Sequence, residues 1–250
     1  MKRIVLVTGG GRDIGRGIVE RLSRTHAGVA IHANASVAAA QELAVQLEKS
    51  GVKAKAFAAD LAKPSDITRL FAGFDSWKKT LGDDFVFTTL VNNSAIAAAS
   101  PIASTEAATI DALIDVNLKG TYRVTAEAAR RLSDGGRIVS VTLDAHAVFS
   151  PDYSLFTATK VALDALTRHW AVGLGSRGIT VNAVAPGVVD ANFRTAMLQD
   201  QAFRVALESV TALARTGTID DVVGVVDFLT TDAARWVTGQ VIATSGGWKL

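Results

Sequence analysis

The chain has 250 residues, 49% apolar and 20% charged, with 26 basic against 24 acidic side chains and a net charge of +2. This length and apolar share give one domain with a sizeable core and exclude intrinsic disorder, and the scattered Lys and Arg exclude a nucleic-acid stripe or a membrane-surface patch. Without cysteine there is no disulfide, thiolate nucleophile or Cys-ligated zinc, and His26, His32, His146 and His169 lack metal-site spacing, so a cytoplasmic, metal-free protein acting on a small molecule is expected.

Ile4 to Val7 is a short apolar run of β type, followed by glycines and then Ile14, Ile18 and Leu22 at four-residue spacing. This reads as strand, glycine turn and helix. The alternation repeats with a strand at 28–33, a helix carrying Val37, Ala40, Leu43 and Leu47 on one face, and a strand at 53–59. A helix with Ile67, Leu70, Phe71, Phe74 and Trp77 in phase follows, and further strands are predicted at 85–91, 137–142, 179–184 and 240–243. Strands separated by helices imply parallel pairing through crossovers, hence a single α/β domain built on a doubly wound parallel sheet with helices on both faces. No apolar run reaches the ~18 residues of a membrane span.

In such a sheet, ligands bind beyond the carboxyl ends of the strands. After the first strand, Thr8 to Gly17 includes Gly9, Gly11, Arg12, Ile14 and Gly15. Glycines allow close backbone approach to a pyrophosphate, and the opening helix supplies N–H groups and positive potential. Asp13 within this turn is placed to crowd or repel the phosphates. After the second strand, Asn34, Ala35 and Ser36 include no acid to bind the ribose 2′-hydroxyl of NAD, so NADP(H) is favoured over NAD(H). Arg12 is then a partner for the 2′-phosphate or a solvated loop charge, with Asn34 and Ser36 as neutral donors.

Asp60 and Leu61 end the third strand, and Asn92, Asn93 and Ser94 the fourth. Each group either lines an adenine or ribose pocket or ties a turn or helix cap. A helix predicted from Ser150, as N-cap, and Pro151 contains Tyr153, Phe156 and Lys160. At about 100° per residue, Tyr153 and Phe156 fall within roughly 40° of Lys160 in azimuth. Lys160 would lower the Tyr153 pKa and hold the cofactor ribose, leaving the phenol to donate to a developing oxyanion. Ala185, Pro186, Gly187, Val188 and Val189 either hold a carboxamide through their backbone or form a rigid turn.

In this order, and over essentially the whole chain, the clusters resemble the short-chain dehydrogenase/reductase family. The matching segments are Thr8 to Gly17, Asp60-Leu61, Asn92 to Ala95, Asn117, Lys160, Val181 to Gly187 and Gly239 to Ile242. The resemblance implies a Rossmann-type fold, a nicotinamide cofactor, a catalytic role for Asn117 beside Lys160, and frequent homotetramers. It also exposes departures. The family tyrosine, four residues before the lysine, is Phe156; the family serine falls on Leu143, next to Thr142; and one turn glycine is Asp13.

Tyr153 precedes Lys160 by seven residues, a spacing resembling that of bacterial enoyl-acyl-carrier-protein reductases, and the Asn92 to Ala95 segment is also similar to that branch. The leading expectation is therefore NADPH-dependent reduction of an activated carbon–carbon double bond such as a 2-enoyl thioester, with Tyr153 as oxyanion donor. The alternatives are a carbonyl or 3-ketoacyl reductase with a rebuilt site, and an NADP-binding homologue that has no redox activity or runs a non-redox reaction. Segment 188–218, with Phe193, Met197, Leu198, Phe203 and Leu207, is expected to cover the substrate, and Trp236, Trp248 and Leu250 to meet a subunit interface.

Overall fold

The computed structural model describes residues 1–144, 151–191 and 199–250. Seven strands, β1 (Lys2–Thr8), β2 (Gly28–Ala33), β3 (Lys53–Ala58), β4 (Phe85–Asn92), β5 (Arg137–Val141), β6 (Thr180–Pro186) and β7 (Val241–Thr244), pair in parallel in the order β3-β2-β1-β4-β5-β6-β7. The order reverses between β1 and β4, which opens a crevice at the carboxyl ends of these strands. This is a Rossmann-type doubly wound sheet.

Period-two alternation distributes the strand side chains between two cores. Val5 and Val7 of β1 face the core made with α1 (Asp13–Leu22), α2 (Val37–Lys49) and a late helix at Ile219–Leu229, while Ile4 and Leu6 face the opposite core with α3 (Pro64–Leu81). The second core is aromatic: Phe74 lies 4.8 Å from Phe87 and 6.1 Å from Trp77 between ring centroids. Both faces of the central strands are therefore dry, which fixes the strand ends rigidly beneath the crevice.

The second half departs from regular helix at one place. After α4 (Ala107–Leu113), residues Ile114–Gly120 form a π-helical turn before α5 (Thr121–Ala129). Gly120 sits so close to the preceding crossover that a Cβ there would lie 2.6 Å from the Leu61 carbonyl oxygen. Pro151–Tyr153 is a 3₁₀ turn, and α6 (Ser154–Leu174) starts only after it. The expected N-cap, Ser150, lies outside the described residues.

Beyond β6 the chain leaves the sheet and returns. Its base is closed by the Val189–Gly217 bridge, with Gly217 N–H donating to Val188 O at 3.0 Å and Asp190 N–H donating to Gly217 O at 2.9 Å. Within it, α7 (Gln201–Ser209) is capped by the Asp200 carboxylate, and Phe203 packs with Val188, Leu207 and Trp248. Phe193, Met197 and Leu198 lie outside the described residues. Trp248 thus packs partly buried within the chain, while Trp236 and Leu250 are fully exposed. The Ile219–Leu229 helix, α8, begins with a capping box between Thr218 and Asp221. No helix among the described residues is long and apolar enough to cross a membrane.

Candidate active site

A cleft of about 490 Å³ crosses the carboxyl ends of β1, β2, β4, β5 and β6. At one end is the glycine turn between β1 and α1. Gly9 adopts φ 67°, and a Cβ on Gly15 would lie 2.0 Å from the Gly9 carbonyl oxygen, so this turn closes only with glycine at both positions.

Two neighbours hold the turn. Asn93 Nδ2 donates to the carbonyl oxygens of Thr8 and Gly9, each at 3.1 Å, while Thr8 Oγ1 accepts from the N–H groups of Asn93 and Ser94, each at 3.0 Å. His32, fully buried on β2, accepts from Gly9 N–H through Nδ1 at 3.3 Å and donates through Nε2 to Ala59 O at 3.0 Å. Burial lowers its pKa against the opposing Ala59 hydrogen bond, so the ring stays neutral with its proton on Nε2. Asn93 takes the turn-tying alternative, whereas the sequence reading missed His32, whose signal was a polar residue at a strand end next to the glycine turn.

Gly9, Arg12, Ile14, Gly15, Asn34, Ser36, Leu61, Ser94, Lys160, Pro186 and Val189 all line the cleft. Arg12 is exposed and pairs with Asp13, Nε to Oδ2 at 3.7 Å. Of the three ionisable side chains in the described wall, Arg12 and Asp13 stand at the glycine end and Lys160 at the other. The glycine cradle, the neutral donors after β2 and the absence of an acid there suit a phosphorylated dinucleotide.

Three expected cofactor ligands are not among the residues lining the cleft. Asn92 is turned inward, its Nδ2 donating to Thr125 Oγ1 at 2.9 Å and lying 3.5 Å from Ser140 Oγ. It ties β4 to α5 and β5 because successive strand residues face opposite sides, and Asn93 takes the cleft side. Asp60 accepts from Ala62 N–H and pairs with Lys63, the turn-tying alternative. Gly11 is buried, and a Cβ there would meet Ser36 Oγ at 2.5 Å.

At the far end, the π-helical turn presents Asn117, whose side chain accepts from Ile96 N–H and donates to Ile96 O, both at 2.9 Å, and to Thr159 Oγ1 at 3.2 Å. It positions the wall segment 94–97 and the Lys160 helix rather than lining the cleft itself. Lys160 is buried, with Nζ donating to the Val141 carbonyl oxygen at 2.9 Å and lying 6.0 Å from the Phe156 ring centroid. Burial pulls its pKa down to about 8, against the opposing charge of Asp164. Val141, Thr142, Leu143 and Phe156 complete this wall.

Tyr153 is not part of that wall. It occupies the N-cap position of α6 with φ −126° and ψ 27°, so the helical azimuth that would align it with Lys160 does not extend to it. The segment around it is pinned elsewhere: Ser100 N–H donates to Asp152 O at 2.6 Å, and Ser154 Oγ to Ser100 O at 2.8 Å. Phe156 and Lys160 are brought together; Tyr153 is not brought to the described lining.

The family described as Enoyl-(Acyl carrier protein) reductase matches residues 9–249. A short-chain type dehydrogenase/reductase of Picea abies is 32% identical, over 98% of this chain and 92% of its own length. The chain belongs to the short-chain dehydrogenase/reductase family. It is also similar to the 3-oxoacyl-[acyl-carrier-protein] reductase FabG of Staphylococcus epidermidis, 32% identical over the full length of both chains. The solved structure of the angucycline C-6 ketoreductase LanV with bound NADP is 35% identical, covers 99% of this chain and 95% of its own, and superposes with a TM-score of 0.90. The protein is thus an oxidoreductase of the short-chain dehydrogenase/reductase type with the family's nicotinamide-binding fold.

Proposed function

We propose that the protein is an NADP(H)-dependent reductase of a carbonyl compound in which Lys160, rather than a tyrosine, serves the substrate oxygen. The observation that carries this reading is the far wall of the cleft. Lys160 is the ionisable group there, and the lining beside it includes the apolar Leu143 and Phe156. The glycine turn, Ser94, Asn34, Ser36 and Arg12 would hold the dinucleotide, with Arg12 favouring a 2′-phosphate. Bound NADPH would supply the hydride.

Lys160 donates one N–H to Val141 O, and an ammonium carries three donors. Its ammonium stabilises negative charge on a substrate oxygen and, with a pKa near the operating pH, gives up a proton to it. Relatives of about one-third identity that reduce ketones favour a carbonyl substrate. Enoyl reduction is the second reading, favoured by the description of the matching family and by the Tyr153-to-Lys160 spacing. The family resemblance favours a homotetramer.

A competition assay with NADPH, a 3-ketoacyl thioester and the matching 2-enoyl thioester separates the readings. Preferential consumption of the ketone is expected. Enoyl-only consumption would overturn the carbonyl reading in favour of Tyr153, and cofactor binding without consumption of either would favour a non-redox role.

A further inference from the structure

Asp13 is the single acidic side chain in the described wall of the cleft. It is the first residue of α1, where helix N–H groups and the helix dipole favour an anionic ligand, and no side chain caps that end. Its φ of 51° lies in the left-handed region that glycine enters freely and that Asp and Asn tolerate better than other residues. The carboxylate is mostly shielded. Oδ1 is buried with no hydrogen-bond partner among the described residues, and Oδ2 faces Arg12 Nε at 3.7 Å. A negative charge therefore stands at the anion-binding end of the helix and holds the cation best placed for a 2′-phosphate.

We propose that Asp13 is an internal competitor of the cofactor phosphates, weakening dinucleotide affinity and making a 2′-phosphate exchange with it for Arg12. The proposal rests on the cleft being a dinucleotide site. Two effects follow from one carboxylate. Its repulsion of the pyrophosphate lowers the affinity for NADPH and NADH alike, whereas its hold on Arg12 penalises only the ligand that carries a 2′-phosphate. The residue thereby sets both the residence of the cofactor and the margin between the two nucleotides.

The test is a titration of the full chain with NADPH and with NADH, followed by protein fluorescence, in the wild type, Asp13→Asn and Asp13→Gly, with thermal melting as a fold control. Asparagine keeps the shape and tolerates the backbone; glycine also relieves the left-handed φ. The expected result is that both variants bind NADPH about tenfold more tightly, as for removal of one nearby like charge, and NADH by a smaller factor. Near 1 M salt, where the screening length is about 3 Å, the gain should shrink. Unchanged or weaker NADPH affinity in folded variants would overturn the proposal, and equal gains for both nucleotides would overturn the exchange at Arg12. If no protein binds either nucleotide, the dinucleotide reading of the cleft fails and this proposal falls with it.

Discussion

At the residue scale, the proposed chemistry rests on Lys160 and its neighbour Phe156. An ammonium against a phenyl ring and a backbone carbonyl is dry enough to lose its proton near pH 8. The protonated form is the one that stabilises and protonates the oxygen, so turnover should hold below pH 8 and fall as pH rises through about 8. A pH–rate profile that stays flat to pH 10 would contradict the role given to Lys160. Phe156 precedes Lys160 by one helical turn and lines the same wall, so Phe156→Tyr places a hydroxyl beside the ammonium. One added oxyanion donor is worth about 10²–10³-fold, and kcat on a ketone should rise by a factor of that order. A variant no faster than the parent would mean that this wall does not face the reacting oxygen.

At the scale of elements, much of the scaffold is legible in the sequence. The seven apolar runs fall within a few residues of the observed strands, because both-sided burial demands near-continuous Val, Ile, Leu, Ala and Phe. The glycine turn is legible for a similar reason, since only glycine avoids the 2.0 Å clash at position 15. Gly15→Ala should therefore abolish NADPH binding in a titration and cost about 1–3 kcal/mol of stability in denaturant melts. Unimpaired binding in that variant would refute the cradle. Other features were hidden. Periodicity does not report that Asn92 turns inward while Asn93 holds the turn, nor that residues 114–120 widen into a π-helical turn around Asn117. The Tyr153 alignment assumed a helix already formed at that residue, whereas Ser100 anchors a 3₁₀ turn there and starts α6 one residue later.

Across the whole molecule, one cleft joins a phosphate-type cradle at β1 and β2 to a lysine-bearing wall at β5 and β6. The parallel sheet makes this possible by aligning five strand ends along one edge and burying both faces beneath them. The proposed function needs both ends to work together, with a nucleotide held at the glycine turn lying against a substrate at Lys160. The most direct measurement is a single turnover, in which protein preloaded with one equivalent of NADPH is mixed with a 3-ketoacyl thioester and the cofactor absorbance and acyl product are followed. The expected result is stoichiometric loss of NADPH with formation of the 3-hydroxyacyl thioester. Persistent NADPH on a protein that has bound both ligands would contradict carbonyl reduction at this site.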